Sequence, residues 1–222
     1  LAGHIYGGTI QNNTVSSSTL NTTYNASASQ SSRIGGVIGN LSNTKAKISD
    51  CTATGITINN ASRVNSIGGF IGNMEGAVAG TVIDNITMSN VNVKNTYSTN
   101  SAYSFYIGGA IGRSLGKVHV SNVSLDGVNI TAASLVRGVG GFAGYITGSD
   151  PSILTNCTVS NSTITQTQAT LDDTYKCYHV AGLVGCVDSD SKFASCSTTS
   201  VDITMQGRTY YLGGLIGSTY SD

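Results

Sequence analysis

The chain has 222 residues, 39% of them hydrophobic and only 10% charged, with 11 Lys+Arg balanced by 11 Asp+Glu, 28 Gly, one Pro and no Trp. Ser (30), Thr (27) and Asn (19) make up about a third of it. This profile argues against intrinsic disorder, against nucleic acid as a partner because there is no basic surplus, and against membrane insertion because no apolar run approaches the roughly 18 residues of a span.

Two elements alternate along the chain. The first is an eleven-residue window with apolar or small residues at positions 1, 4, 6, 9 and 11. It begins at Ile10 and recurs from Ile48, Ile83, Val120, Leu154 and Phe193. Ile83, Ile86, Met88, Val91 and Val93 display it most clearly. A spacing of three, two, three and two is not helical. It reads as two short strands, with inward residues at positions 4/6 and 9/11, separated by a corner.

The second element is a glycine run, aliphatic-Gly-Gly-x-x-Gly, at residues 34–39, 67–72, 107–112, 139–144, 180–185 and 212–217, where Ala181 alone departs from the glycine slots. Its Gly pairs start at 35, 68, 108, 140, 181 and 213, so alternate copies lie 72 or 73 residues apart. The unit is therefore a double coil of 73 residues used three times, approximately 1–73, 74–146 and 147–222, within a single domain spanning 1–222. The extra length of every second coil falls in residues 21–33, 95–106 and 166–179, polar and Tyr-bearing segments that read as loops.

A coil of such short segments cannot bury an apolar face alone and must stack on its copies. The expected fold is all-β, a parallel β-helix-like β-solenoid of six coils. The slot before the glycines is always aliphatic (Ile34, Ile67, Ile107, Val139, Val180, Leu212) and marks the core, with an inward glycine making room for the opposite wall. Strict alternation then places Val37, Phe70, Ala110, Phe142, Leu183 and Leu215 on the other face, as an outward apolar interaction stripe or as a stripe covered by a loop of the same chain.

The repeated Gly-Gly-aliphatic-aliphatic-Gly core, followed by Ile-Ser-Asp-Cys-Thr (48–52) and Leu-Thr-Asn-Cys-Thr (154–158), resembles the GLUG-type repeats of large secreted and surface-anchored proteins. The resemblance spans nearly the whole chain. It implies a β-solenoid stalk or adhesin module and no catalytic residues.

Position 3 of the first element holds Asn12, Asp50, Asn85, Asn122, Asn156 and Ser195, and position 5 holds Thr14, Thr52, Thr87, Ser124, Thr158 and Ser197. Stacked, these become polar ladders whose amides and hydroxyls bond along the rod. The two ladders lie two residues apart and so create sequons at Asn12, Asn85, Asn122 and Asn156, which are expected to be buried and unmodified. Asn21, Asn25 and Asn60 are the favoured glycosylation positions in a eukaryotic source, with Asn40, Asn129 and Asn161 behind them.

Cys51, Cys157 and Cys196 share inward position 4 and read as small buried hydrophobes. In an oxidising compartment a Cys177–Cys186 or a Cys157–Cys196 disulfide is open, and the odd count of five leaves one thiol without an intrachain partner. No paired CxxC exists and His4, His119 and His179 are scattered, so neither a metal nor another cofactor is expected.

Catalysis is disfavoured, because Asp172, Asp173, Asp188, Asp190 and Glu75 have no recurring basic partner. The chain is expected to be a structural, glycosylated protein of the extracellular space or cell surface: a building block of a stalk, adhesin or head-to-tail filament whose partner is itself, with a surface glycan or cell-surface ligand as a further partner. The alternatives are a carbohydrate-binding or carbohydrate-active β-helix, and an ice-binding solenoid presenting the Thr row. The loop tyrosines Tyr24, Tyr97, Tyr103, Tyr106, Tyr175 and Tyr178 suit sugars, lateral neighbours or the rod's own flank.

Overall fold

The structure is a computed structural model and describes residues 2–23, 32–42, 45–97, 105–133, 136–148, 151–167 and 176–220. Among the described residues all regular structure is strand, and the strands form a 15-stranded and a 6-stranded sheet with parallel pairing between successive coils. The chain folds as a β-solenoid. The 6-stranded sheet takes one strand from each glycine element: Ser32–Gly35, Val64–Gly68, Tyr106–Gly108, Gly138–Gly140, Lys176–Ala181 and Arg208–Gly213. The aliphatic slot is in register along this sheet, Ile34 beside Ile67, then Ile107, Val139, Val180 and Leu212. The 15-stranded sheet carries the rest of each turn, most continuously in Ile71–Asn95 and Ile111–Ala132.

The inward positions are as the spacing requires. Ile83, Ile86, Met88, Val91 and Val93 are all buried, as are Val120, Val123, Leu125, Val128 and Ile130 one coil on. A corner follows the 4/6 pair, and the structure adds a second one that the spacing did not reveal. Backbone φ is positive at Asn12, Asp50, Asn85, Asn122, Asn156 and Ser195 (position 3), and again at Ser17, Gly55, Asn90, Gly127, Asn161 and Ser200 (position 8). Left-handed backbone is sterically costly for most L-residues and mildest for Gly, Asn and Asp, so the Asn-type row is first a row of corners.

Its side chains then bond between coils. Asn85 Nδ2 donates to Asp50 Oδ1 at 2.7 Å, and Asn156 Nδ2 to Asn122 Oδ1 at 3.1 Å. The Thr/Ser row at position 5 is in register, Thr52 beside Thr14 and Thr87. Hydroxyl contacts between coils occur instead at position 7, where Ser89 Oγ donates to Thr54 Oγ1 at 3.2 Å and Ser160 Oγ to Asp126 Oδ1 at 2.9 Å.

The proposed outward stripe is corrected. Val37, Phe70, Ala110, Phe142 and Leu183 are buried, between 0% and 4% exposed, and Leu215 is packed against the same core. The chain bends at 36–37, so strict alternation does not carry through the element. Gly35 lies so close to the turn that a Cβ there would sit 1.9 Å from the carbonyl oxygen of Ile38. Phe70, Ala110 and Phe142 line a residual cavity of about 10 Å³ with Ile83, Ile86 and Val123, on the inside of the solenoid.

The second glycines form a column with no space for a side chain. A Cβ on Gly109 would lie 2.0 Å from the Gly141 carbonyl oxygen and 2.6 Å from Val128 Cγ1, and the same holds in kind from Gly36 to Gly182. Gly214, in the last coil, meets nothing within 4 Å. At both end coils the core is half open: Ile5, Ile10, Val15 and Leu20 at one end, and Val201, Ile203, Met205 and Ile216 at the other, are only partly buried.

Candidate functional site

Each glycine element joins two strands through a narrow bend, and residues seven apart stand on its two sides. The pairs are Arg33/Asn40, Ser66/Asn73, Tyr106/Arg113, Gly138/Tyr145, His179/Cys186 and Tyr211/Ser218. Strand register stacks them into two columns, Ser66–Tyr106–Gly138–His179–Tyr211 and His4–Asn40–Asn73–Arg113–Tyr145–Cys186–Ser218.

In the first coils the mouth is closed by polar side chains. Asn73 Nδ2 donates to Asn40 Oδ1 at 2.8 Å, and Asn40 Nδ2 bonds His4 Nε2 at 3.2 Å. Arg33 forms an ion pair with Glu75, two residues 42 positions apart that the sequence did not associate. From the third coil onward the mouth opens. Gly138 has no side chain, so the Tyr106 ring lies over it and stacks on Tyr145 with centroids 4.5 Å apart and planes 14° apart. The Arg113 guanidinium caps Tyr106 at 5.7 Å and donates to Asn65 Oδ1 at 2.6 Å.

The result is a cleft of about 310 Å³ lined by Tyr106, Arg137, Tyr145, Tyr178, His179, Cys186, Asp188 and Tyr220. Tyr145 donates its hydroxyl proton to Asp188 Oδ2 at 2.8 Å, and Thr147 Oγ1 donates to the Asp188 carbonyl at 2.8 Å. His179 stacks on Tyr211 at 5.2 Å with planes 3° apart, meets the edge of Tyr220 at 5.6 Å, and bonds Ser218 Oγ through Nδ1 at 2.6 Å. Tyr178 stacks on Tyr210 at 5.3 Å.

Burial sets the protonation of the interior. It lowers the His179 pKa, helped by the Arg137 charge, and raises those of Tyr145 and Cys186. His179 is therefore neutral and Tyr145 a hydrogen-bond donor at neutral pH, while the Cys186 thiol is held away from the thiolate that nucleophilic chemistry needs. Arg137 and Asp188 both line the cleft and form no ion pair with each other. The arrangement offers aromatic faces, one cation and one anion, which is equipment for binding.

The other sequence-derived positions fall apart. Asn60 is buried, donating to Asn95 Oδ1 and to the Ser62 carbonyl, both at 2.7 Å, and Asn40 is buried in its ladder, so neither has room for a glycan. Asn21, Asn129 and Asn161 are exposed, and Asn25 lies outside the described residues. The sequons at Asn12, Asn85, Asn122 and Asn156, expected to be buried, are exposed because the left-handed corner turns their side chains outward. Cys51 and Cys157 are buried, Cys196 is half-buried, and these three and Cys186 are free thiols, so neither of the two disulfides left open by the sequence is formed.

Burial beside Cys196 pushes the Cys157 pKa up to about 12. Of the loop tyrosines, Tyr97 packs edge-on to Phe105 at 5.9 Å, Tyr106 and Tyr178 enter the cleft, and Tyr24, Tyr103 and Tyr175 lie outside the described residues, as do Asp172 and Asp173. Arg137, Tyr145 and Tyr220 were missed, and Asp188 was noted only as a sparse acid. The fixed seven-residue offset across each glycine element locates Tyr145, opposite Gly138; Arg137, Asp188 and Tyr220 lie just outside those pairs and carry no such signal.

A family model, the GLUG motif, matches residues 30–59 and 137–165. The chain carries GLUG motifs. Each match takes in one glycine element and the window that follows it, so a GLUG motif here is one turn of the solenoid: the bend, its arch and the two left-handed corners. The second GLUG match begins at Arg137 and includes Tyr145, placing two cleft residues on one motif. No curated protein and no solved structure matches the chain.

Proposed function

We propose that the chain is a non-enzymatic structural segment of an extracellular or cell-surface stalk or adhesin, in which GLUG coils add end to end. The supporting observation is the state of the end coils. They keep the corner geometry of the interior coils, yet their core side chains are half exposed and Gly214 has empty space where every equivalent glycine from Gly36 to Gly182 meets the next backbone. A further coil, from a second copy, fits that surface without remodelling it. Contacts of this head-to-tail kind do not close and so generate extended assemblies. Glycans on the exposed Asn21, and on Asn129 and Asn161, fit the outer flank of such a rod.

Gly214 supplies the test. A Cβ at this position touches nothing in the isolated chain, whereas in the interior column it would strike the neighbouring backbone at about 2 Å. Gly214→Ala is therefore expected to leave folding intact and to suppress end-to-end association. Light scattering and negative-stain microscopy at rising concentration read this out. Short particles that stay monodisperse for the parent chain, or rods that persist unchanged in the variant, refute the reading.

A further inference from the structure

We propose that the cleft between Tyr106 and Tyr220 is a binding site for a short neutral oligosaccharide. This goes beyond a stalk role, since it places a recognition site at the mouth of the glycine arches, from the coil of Tyr106 to the last coil with Tyr220.

The shape is appropriate. A volume of about 310 Å³ lies at the small end of the range for ligand pockets, roughly 300 Å³ upward. Its walls are tyrosine rings fixed by their neighbours: Tyr145 beneath Tyr106, Tyr178 on Tyr210, and Tyr220 against His179. Rings locked in this way present apolar faces at little entropic cost, and their hydroxyls add polar edges. Tyr178 and Tyr220 are 36% and 45% exposed, so their surfaces are open to a ligand.

The charges select the ligand class. Arg137 donates only, and Asp188, already accepting from Tyr145, retains further acceptor capacity. The two are unpaired with each other across the same cleft. A uronate or phosphate would satisfy Arg137 but be repelled by Asp188, and an amine the reverse. A hydroxyl both donates and accepts, so a polyhydroxylated neutral ring satisfies both residues while its C–H face covers a tyrosine. Neutral His179 and protonated Tyr145 add no net charge.

The experiment titrates the intact chain with trisaccharides of glucose, mannose, galactose and N-acetylglucosamine, and with a galacturonate trisaccharide as anionic control. The chain has 11 Tyr and no Trp, so intrinsic fluorescence reports on tyrosines, several of which line the cleft. At least one neutral trisaccharide should saturate the signal. Tyr178→Ala and Asp188→Asn, both at exposed side chains, should each weaken it about tenfold, while Thr87→Ala, exposed and outside the cleft, should not.

Arg137→Gln provides a third exposed variant with the same expected loss, and circular dichroism verifies the fold of each. The absence of saturation by every neutral sugar, binding of the galacturonate alone, or binding that all three cleft variants leave unchanged overturns the proposal. None of these results bears on end-to-end stacking, which Gly214→Ala reads separately.

Discussion

The corner at Asn122 separates two explanations for the Asn-type row. Its φ is 53°, its amide donates to Asp84 Oδ1 at 2.9 Å, and its own Oδ1 accepts from Asn156 at 3.1 Å. Asn122→Ala removes both bonds and places a Cβ-bearing residue without Asn's local compensation in the left-handed region. The exposed bonds contribute about 0.5 kcal/mol each, at the low end of the usual range, and the backbone penalty is about 1–2 kcal/mol. The total is a loss of about 2–3 kcal/mol.

Asn122→Gly loses the same bonds and carries no backbone penalty, but it raises the entropy of the unfolded chain by about 0.4–1 kcal/mol, for a total loss near 1–2 kcal/mol. Urea denaturation followed by circular dichroism, with the slope held constant, gives both values. Glycine is expected to be the better tolerated by roughly 0.5–1 kcal/mol. If Gly proves as damaging as Ala or worse, the ladder of amides and not the corner selects Asn here, and the conformational account fails.

Phe142→Ala should cost about 3–5 kcal/mol, as expected for a side chain only 1% exposed; a loss below about 1 kcal/mol would restore the outward stripe. His179 has a folded pKa below its ordinary 6.5, so the unfolded chain takes up its proton first as pH falls, and stability present above 6.5 is lost on acidification toward the folded pKa. Replacing it with Gln should therefore flatten the melting temperature between about pH 7.5 and 5.5, and an unchanged slope would contradict this protonation assignment. Iodoacetamide on the folded chain should label half-buried Cys196 well before Cys157 and Cys51, and mass spectrometry finding equal rates would refute their burial.

What the sequence disclosed and what it hid follow from one distinction. Periodicity along the chain reports which side of a strand is buried, and the 1, 4, 6, 9, 11 pattern from Ile83 to Val93 translated directly into core. The glycine period likewise fixed the register, since Ile67, Ile107 and Val139 stand side by side. Alternation fails where the backbone bends. The turn at 36–37 puts Val37 into the core beside residues that a straight strand would have turned away from it. The position-3 corner was concealed because an Asn that bonds its neighbours and an Asn that tolerates positive φ look identical in one sequence. The cleft was hidden for a different reason: Tyr106, Tyr145, His179 and Asp188 come from three separate coils, and only strand register and the empty place at Gly138 bring them together.

The corners also distinguish the interior coils from the end coils in residue type. Position 3 and position 8 are Asn, Asp or Gly throughout the four central coils, at Asp50, Gly55, Asn85, Asn90, Asn122, Gly127, Asn156 and Asn161. Serine takes a left-handed corner only in the first and last coils, at Ser17, Ser195 and Ser200, with φ between 50° and 53°. Serine gains less from local bonding than Asn does and pays more of the left-handed penalty, about 1 kcal/mol per corner. The end coils also bury their core on one side only, so both terms weaken the same turns. In a stacked array stability is close to a sum of each coil's own free energy and that of its interfaces. A coil with strained corners and a single interface gains proportionately most from a second one. If another turn docks beyond Gly214 as proposed, the end coil is the one that gains most from the added interface.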